Sequence, residues 1–203
     1  MRLLSAVAAI VAVVAAFAAA DVYAQDDTSA PFGLKWNASS DDIRSIGVSL
    51  SPANLSDFGT SYTATGLPKA LSDISTVVLS FGYDDRLWRV AALSREFKND
   101  QYGTAAKARY AEIEASLEKA YTAGSKFHRQ STDSYFGKPE NFTYSLLKNE
   151  ASWFSLYSSA AADIELSIGA SGTSDSYWRL IYSYRDGEEK FRAGKRDAEL
   201  DAL

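Results

Sequence analysis

The order of the strand-forming segments constrains the fold more than any other feature of the sequence. They occur in two consecutive runs, separated by one long helical segment. Alternating or continuous apolar runs predict about six strands. These cover 60–65, 74–81, 86–97, 152–157, 163–170 and 177–184. Because the strands follow one another instead of alternating with helices, the sequence predicts an α+β fold with an antiparallel sheet.

The segment between the two runs, residues 104–124, has the boundary signals of a helix. Thr104 is the predicted N-cap, and Gly124 lies just past the predicted end. The apolar stripe consists of Ala106, Tyr110, Ile113, Leu117 and Tyr121. We expect this long amphipathic helix to pack on one face of the sheet, where each large apolar side chain contributes about 1.5–3 kcal/mol.

Helices are also predicted at both ends of the folded region. Ser39 or Ser40 can cap a short helix that holds two aspartates in its first turn and ends before Gly47. Residues 187–203 are charged with poor apolar periodicity, which predicts an exposed C-terminal helix or tail. The resulting order is α-βββ-α-βββ-α. It is compatible with a tandem repeat of two halves and equally with one continuous sheet.

The first 30 residues have the composition of an export signal followed by a polar tail. Arg2 precedes an Ala-rich apolar run over 3–20, and a small-x-Ala cleavage motif ends at Ala24. A weakly hydrophobic run of this length favours a cleaved signal over a membrane anchor. We therefore expect a periplasmic or secreted protein with no membrane span after cleavage. The predicted organisation is a signal peptide over 1–24, a flexible tail over 25–30 and a single domain over 31–186.

The composition excludes several classes of function. The chain has no cysteine and one histidine, His128, which rules out thiolate and two-histidine metal sites, a disulfide scaffold and an acylated cysteine. A net charge of -5 argues against non-specific nucleic-acid binding. His128 lies in a polar stretch, 125–144, that is predicted to be irregular, so a solvated histidine is expected there. We expect no metal and no cofactor.

Carboxylates are the remaining groups suited to acid–base catalysis. Adjacent acids occur at 41/42, 84/85 and 188/189. A glycosidase needs two carboxylates facing each other at ~5–9.5 Å, and these come from different elements. Neighbouring acids point apart, and the first two pairs fit helix-dipole and turn chemistry. A carboxylate-based hydrolase and a small-ligand-binding protein stay open as alternatives.

Aromatic strands provide the candidate binding site. If Trp178 and the apolar residues at alternate positions after it face the long helix, then Tyr177, Arg179 and Ile181 face away from it. Trp88 is predicted to oppose the Leu87 face of its own strand. Trp, Tyr and Arg are enriched at recognition surfaces. The sequence therefore predicts a non-enzymatic module that binds a periplasmic or envelope protein through these four residues, unless the first and last helices cover that face.

Several segments resemble a group of exported bacterial proteins. The opening PFGLKWNASSDDI, residues 31–43, fits the pattern PFG-x-x-(W/G)-x-x-S-x-x-(D/E)-(I/V). A strand–turn–strand unit with Leu87-Trp88 and a helix with Tyr110 follow in the same order. The opening also resembles that of small outer-membrane-assembly lipoproteins (SmpA/OmlA) and β-lactamase-inhibitor-like domains. The resemblance implies a short helical segment before an antiparallel sheet, and no catalytic residue.

Two departures from that pattern stand out. Asn37 follows Trp36 where the related pattern has glycine, and the lipid-acceptor cysteine is absent. The role of Asn37 is not explained by the helix that begins two residues later.

Overall fold

The computed structural model describes residues 28–54 and 56–201. The predicted signal peptide lies outside these residues. The helices are α1 (Ser40–Ser45), α2 (Thr104–Ala120), α3 (Phe142–Leu147) and α4 (Arg185–Asp201). The strands are β1 (Ser49–Ala53), β2 (Thr60–Thr65), β3 (Ile74–Phe81), β4 (Leu87–Ser94), β5 (Thr122–Gln130), β6 (Ala151–Ser158), β7 (Ala162–Ala170) and β8 (Ser176–Tyr184).

One antiparallel sheet of eight strands forms the centre of the molecule, in the order β1-β2-β3-β4-β8-β7-β6-β5. Each run of the chain makes a four-stranded meander, and the two meanders join where β4 pairs with β8. The α+β class and the antiparallel sheet are confirmed, but the prediction of about six strands was wrong. The strands that were missed, β1 and β5, form the two edges of the sheet.

The missed strands lack the pattern that identifies a half-buried strand. β1 has the sequence SLSPA, and proline is depleted in strands except at edges. β5 has the sequence TAGSKFHRQ, of which eight residues are exposed. An edge strand buries little on either face, so its sequence needs no alternation of apolar and polar residues.

The prediction of a sheet packed against one long amphipathic helix was also wrong. α2 ends at Ala120 and is followed directly by β5, so Gly124 lies in a strand. α2 and α4 each have 17 residues, and the strongly amphipathic one of the two is the C-terminal α4. It was predicted only as a charged helix or tail because its buried residues, Gly187 and Phe191, form too short an apolar stripe to detect.

The main core lies on one face of the sheet, which we call the packed face. α1 and α2 cover it, with Ile43 and Tyr110 buried. The sheet contributes side chains that are at most 3 % exposed: Leu79, Phe81, Val90, Leu166, Trp178 and Leu180. α3 lies on the same side, where Phe142 packs edge-on against Trp153. No helix in the described ranges has the length and hydropathy to cross a membrane.

Candidate functional site: the open sheet face

The opposite side of the sheet carries an exposed aromatic and aliphatic surface on β5 to β8. We call this surface the open face, and it comprises Phe127, Phe154, Leu156, Tyr177, Arg179 and Ile181. On β6 and β8 its residues alternate with residues of the packed face; on β8, for example, Trp178 and Leu180 are buried there. Phe127 lies on the edge strand β5, where its neighbours are exposed as well. Phe127 is 48 % exposed and Leu156 is 37 % exposed. The other four residues are half-buried, so the surface is partly exposed and available for contact.

Strand register brings the open-face residues side by side. Phe127 pairs with Phe154, and their rings stack with centroids 4.7 Å apart. Glu165 lies between Leu156 and Ile181 on the adjacent strands. Tyr177 pairs with Gly169, where a Cβ atom would lie 2.6 Å from the tyrosine ring. Glycine at this position lets the ring lie flat against β7.

A charged strip crosses the middle of the open face. The Arg179 guanidinium donates to Glu165 Oε1 at 2.9 Å and to Ser167 Oγ at 3.3 Å. Burial lowers the pKa of Arg89, and the Arg179 charge adds to this effect while Glu165 and Glu188 oppose it. The Arg89 guanidinium lies 3.9 Å from the centre of the Phe58 ring. Apolar side chains therefore flank a fixed set of charges.

Two clefts meet at Glu165 on this face. The first, of about 470 Å³, is lined by Phe154, Tyr177 and Arg179 together with the end of α3. The second, of about 500 Å³, is lined by Leu156, Ile181 and Glu188. Because Glu165 lines both clefts, the two clefts adjoin each other and form one continuous surface on the open face.

Trp88 has a different environment from the other three predicted site residues. The β3–β4 register shifts so that Leu87 opposes Phe81 and Arg89 opposes Ser80, which leaves Trp88 as an extra residue. Such a bulge redirects a side chain to the other face of the sheet. Trp88 is 3 % exposed. Its indole lies under α4, stacked on Phe191 at 5.0 Å.

The structure therefore brings Tyr177, Arg179 and Ile181 together on β8 and places Trp88 beneath α4. α4 packs on β4 and β8, so it covers the Trp88 end of this side of the sheet. α1, the other helix considered as a cover, lies on the packed face.

Sequence reasoning missed three members of the open face. Phe154 and Leu156 lie in a predicted strand, 152–157. Their alternation with Ser155 and Tyr157, which are buried, indicates that they lie on the opposite face of that strand. Phe127 lies in β5, whose polar sequence was predicted to be irregular. Its position became visible only through the pairing of β5 with β6.

His128 also lies in β5 and not in a loop, which corrects the prediction. Its imidazole stacks on Trp153 with ring centroids 4.3 Å apart, and Nε2 lies 3.3 Å from the Tyr110 hydroxyl. Burial lowers the pKa of His128, while the Glu114 carboxylate opposes that shift. The histidine thus packs between α2 and the sheet.

A polar network surrounds His128 beneath α2. The Tyr110 hydroxyl donates to Ser155 Oγ at 2.6 Å, and Ser155 donates to Glu114 Oε1 at 2.6 Å. Lys126 Nζ lies 3.2 Å from the same carboxylate oxygen. A nucleophilic serine must reach a substrate, whereas Ser155 is fully buried. The network ties α2 to β5 and β6.

Two carboxylates on the open face form ion pairs with arginines. Glu165 and Glu188 come from different elements and line the same cleft. Glu165 is paired with Arg179 at 2.9 Å, and Glu188 with Arg192 at 2.6 Å. Both carboxylates are thus held by an arginine through their Oε1 atom. Among the described residues, no group of three histidine, aspartate or glutamate side chains is placed to hold a metal.

Comparisons with known proteins identified no similar protein. No family model matches the chain, and no curated protein or solved structure matches it either. The fold and the site together define an α+β protein with a helix-covered packed face and an exposed aromatic face on one sheet. The exposed aromatic face is the feature of the molecule that bears on its function.

Proposed function

We propose that the protein is an exported, non-enzymatic binding module that holds a periplasmic or envelope protein against its open face. The observation that carries this proposal is the contiguous surface formed by Phe127, Phe154, Leu156, Tyr177 and Ile181 around the Arg179–Glu165 pair. Aromatic residues and arginine are enriched at protein interfaces, and contiguous exposed apolar patches mark interaction sites.

The support beneath the open face favours recognition of a protein surface. Four paired strands hold the side chains in place, and helices pack on the reverse side. A rigid surface loses little conformational entropy when a partner binds. The Arg179–Glu165 pair stays partly exposed, with side chains 43 % and 35 % accessible, so it can orient a partner that carries complementary charges.

The export part of the proposal rests on the sequence. Residues 1–24 have the charged start, apolar run and cleavage motif of a signal peptide. The opening at 31–43 resembles that of exported bacterial proteins. Both features support a periplasmic partner over a cytoplasmic one.

Affinity capture from periplasmic extract tests the proposal. A Tyr177→Ala/Arg179→Ala variant removes an aromatic and a charged contact from the open face. A Tyr102→Ala/Arg44→Ala variant removes the same residue types from the opposite side of the sheet and serves as the matched control. We expect the first variant to recover a specific partner at least roughly tenfold less well, as for the loss of interface hot spots.

Thermal unfolding of both variants establishes that each is folded before capture. The control should recover the partner as the wild-type chain does. Equal recovery of every captured protein by the two folded variants would contradict the proposal.

A further inference from the structure

The outer side of β5 forms an open edge of the sheet. β5 pairs with β6 on one side, and among the described residues no strand pairs with its other side. Eight of its nine residues are exposed. An unpaired edge strand presents backbone donors and acceptors that another strand can use.

The direction of these backbone groups follows from one hydrogen bond. The Ser131 amide donates to the Glu150 carbonyl at 2.7 Å, one step beyond the Gln130–Ala151 pair that ends the β5–β6 register. In an antiparallel ladder, hydrogen-bonded and non-hydrogen-bonded pairs alternate. The amide and carbonyl groups of Arg129 and Phe127 therefore face β6. Those of Lys126, His128 and Gln130 face outward.

The opposite edge of the sheet is less suited to pairing. β1 has five residues and contains Pro52, which has no amide to donate. β5 contains no proline, and its irregularity falls between Ala123 and Lys126, before the outward-facing groups. The regular part of the edge is thus the five-residue stretch 126–130.

We propose that two copies of the chain pair through this edge, antiparallel about a two-fold axis at His128, to form one continuous sheet. The inference goes beyond the proposed binding function, because it concerns the β5 edge of the sheet and a different partner; Phe127 is the one open-face residue that the edge also uses. The occupant of the β5 edge is a second copy of this chain.

The outward backbone groups are symmetric about His128, and this selects the register. With the axis at His128, Lys126 pairs with Gln130 of the second copy, and His128 pairs with its own counterpart. All three outward residues of each strand then find partners. A two-fold axis at residue 126 would place Lys126 directly opposite Lys126 of the second copy, and an axis at 129 would do the same for Arg129. Like charges in that position destabilise a strand pair.

Side chains in this register are complementary. Phe127 lies opposite Arg129 of the second copy, and Arg129 opposite Phe127 of the second copy. Both are non-hydrogen-bonded pairs, where side chains approach most closely, and arginine over an aromatic ring is favourable. None of the ion pairs in the described parts of the chain involves Arg129, so its charge is available. The Lys126 charge is already compensated by Glu114 and Glu118.

The pairing would also join the two binding surfaces. Residues that oppose each other in a sheet share a face, so the open faces of both copies lie on the same side. A partner with two copies of its contact site could then engage both at once and gain avidity.

Single-cysteine cross-linking tests the register, because the chain has no cysteine of its own. In a His128→Cys variant the two Cα atoms would lie ~5.5 Å apart, within the range of a disulfide. In a Gln130→Cys control the two cysteines would be four residues apart along the strands, roughly 13 Å. We expect a covalent dimer for the first variant and none for the second under mild oxidation.

Sedimentation of cysteine-free variants tests the backbone pairing. His128→Val keeps the outward amide and should remain dimeric, whereas His128→Pro removes it and should sediment as a monomer. Circular dichroism confirms that the proline variant is folded. A wild-type chain that stays monomeric at every concentration, or equal cross-linking of the two cysteine variants, would overturn the proposal. Capture through the open face would be unaffected by that result, so the two proposals fail separately.

Discussion

At the scale of single residues, Asn37 illustrates how a local backbone requirement selects an amino acid. Its φ of 61° lies in the left-handed region, which glycine and asparagine adopt most readily. This explains why asparagine, which tolerates that conformation, is suited to position 37. Its side chain also donates to the Tyr184 hydroxyl at 3.3 Å, and the Tyr184 ring stacks on Trp36 at 5.6 Å.

Substitutions at Asn37 test this explanation. We expect Asn37→Gly to change the free energy of unfolding by less than about 0.5 kcal/mol, because glycine keeps the left-handed conformation. Asn37→Ala should lower it by about 1 kcal/mol, since an alanine Cβ is disfavoured there. Urea denaturation measures both. A loss at least as large for glycine as for alanine would show that the hydrogen bond to Tyr184, and not the backbone, sets the preference.

Asp73 joins three parts of the fold through one carboxylate. It immediately precedes β3 and accepts from Arg109 Nε at 2.8 Å and Nη2 at 3.0 Å. It also accepts from Trp178 Nε1 on β8 at 2.9 Å. The bonds from Arg109 are the main cause that lowers the pKa of Asp73 below its ordinary value of 3.8. The group is therefore a source of pH-dependent stability.

An Asp73→Asn variant should lose about 2 kcal/mol of unfolding free energy at pH 7, as expected for charged hydrogen bonds in a partly buried site. Because the folded-state pKa is depressed, this contribution is present above about pH 3.8 and is lost as pH falls through the folded-state pKa. Urea denaturation of both proteins at pH 7 and in acid measures the difference. Asp41→Asn, at a carboxylate 92 % exposed, is the control. A deficit independent of pH would contradict the charge-based explanation.

At the scale of elements, α4 is anchored by one aromatic side chain. Phe191 stacks between Trp88 at 5.0 Å and Tyr83 at 5.7 Å. A Cβ on Gly187 would lie 2.5 Å from Trp88 Cβ, so glycine there permits the close approach of helix and sheet. Such a small contact explains why the apolar pattern of residues 187–203 did not predict a docked helix.

Phe191→Ala should therefore release α4 from the sheet. We expect a loss of about 3 kcal/mol in unfolding free energy and faster tryptic cleavage within residues 185–201, because a buried aromatic anchor is removed. Leu200→Ala, at a side chain 67 % exposed, should change stability by less than about 0.5 kcal/mol. Similar cleavage rates for both variants would show that α4 is held by other contacts.

Elements with strong local signals were predictable from the sequence, and those without were not. β2 and β3 have the predicted bounds, 60–65 and 74–81, because β3 contains a clear apolar run and β2 a weaker alternation of polar and apolar residues. Ser39 is confirmed as the cap of α1, where its side chain and that of Asp42 form a capping box. No sequence pattern predicts the bulge in β4, because whether a strand has an extra residue depends on how it pairs with the neighbouring strand.

At the scale of the whole molecule, the sheet has one packed and one open face, and this asymmetry could be only partly predicted. Alternation along β8 correctly separated Trp178 from Tyr177 and Arg179. Phe127 could not be added from the sequence, because the polar sequence of β5 does not predict a strand and only its pairing with β6 places Phe127 beside Phe154. The join between β4 and β8 is likewise a long-range contact with no local signal.

Site-specific photo-cross-linking in living cells distinguishes a partner protein bound to the open face from one bound elsewhere on the molecule. A photoreactive side chain at Phe154 or Leu156 places the probe on the open face. The same group at Ile46, 52 % exposed near α1, or at Tyr102, 49 % exposed before α2, places it elsewhere. We predict a cross-linked product with another protein from Phe154 and Leu156 and none from Ile46 and Tyr102. The same product from all four positions, or only from Ile46 and Tyr102, would contradict the proposed binding at the open face.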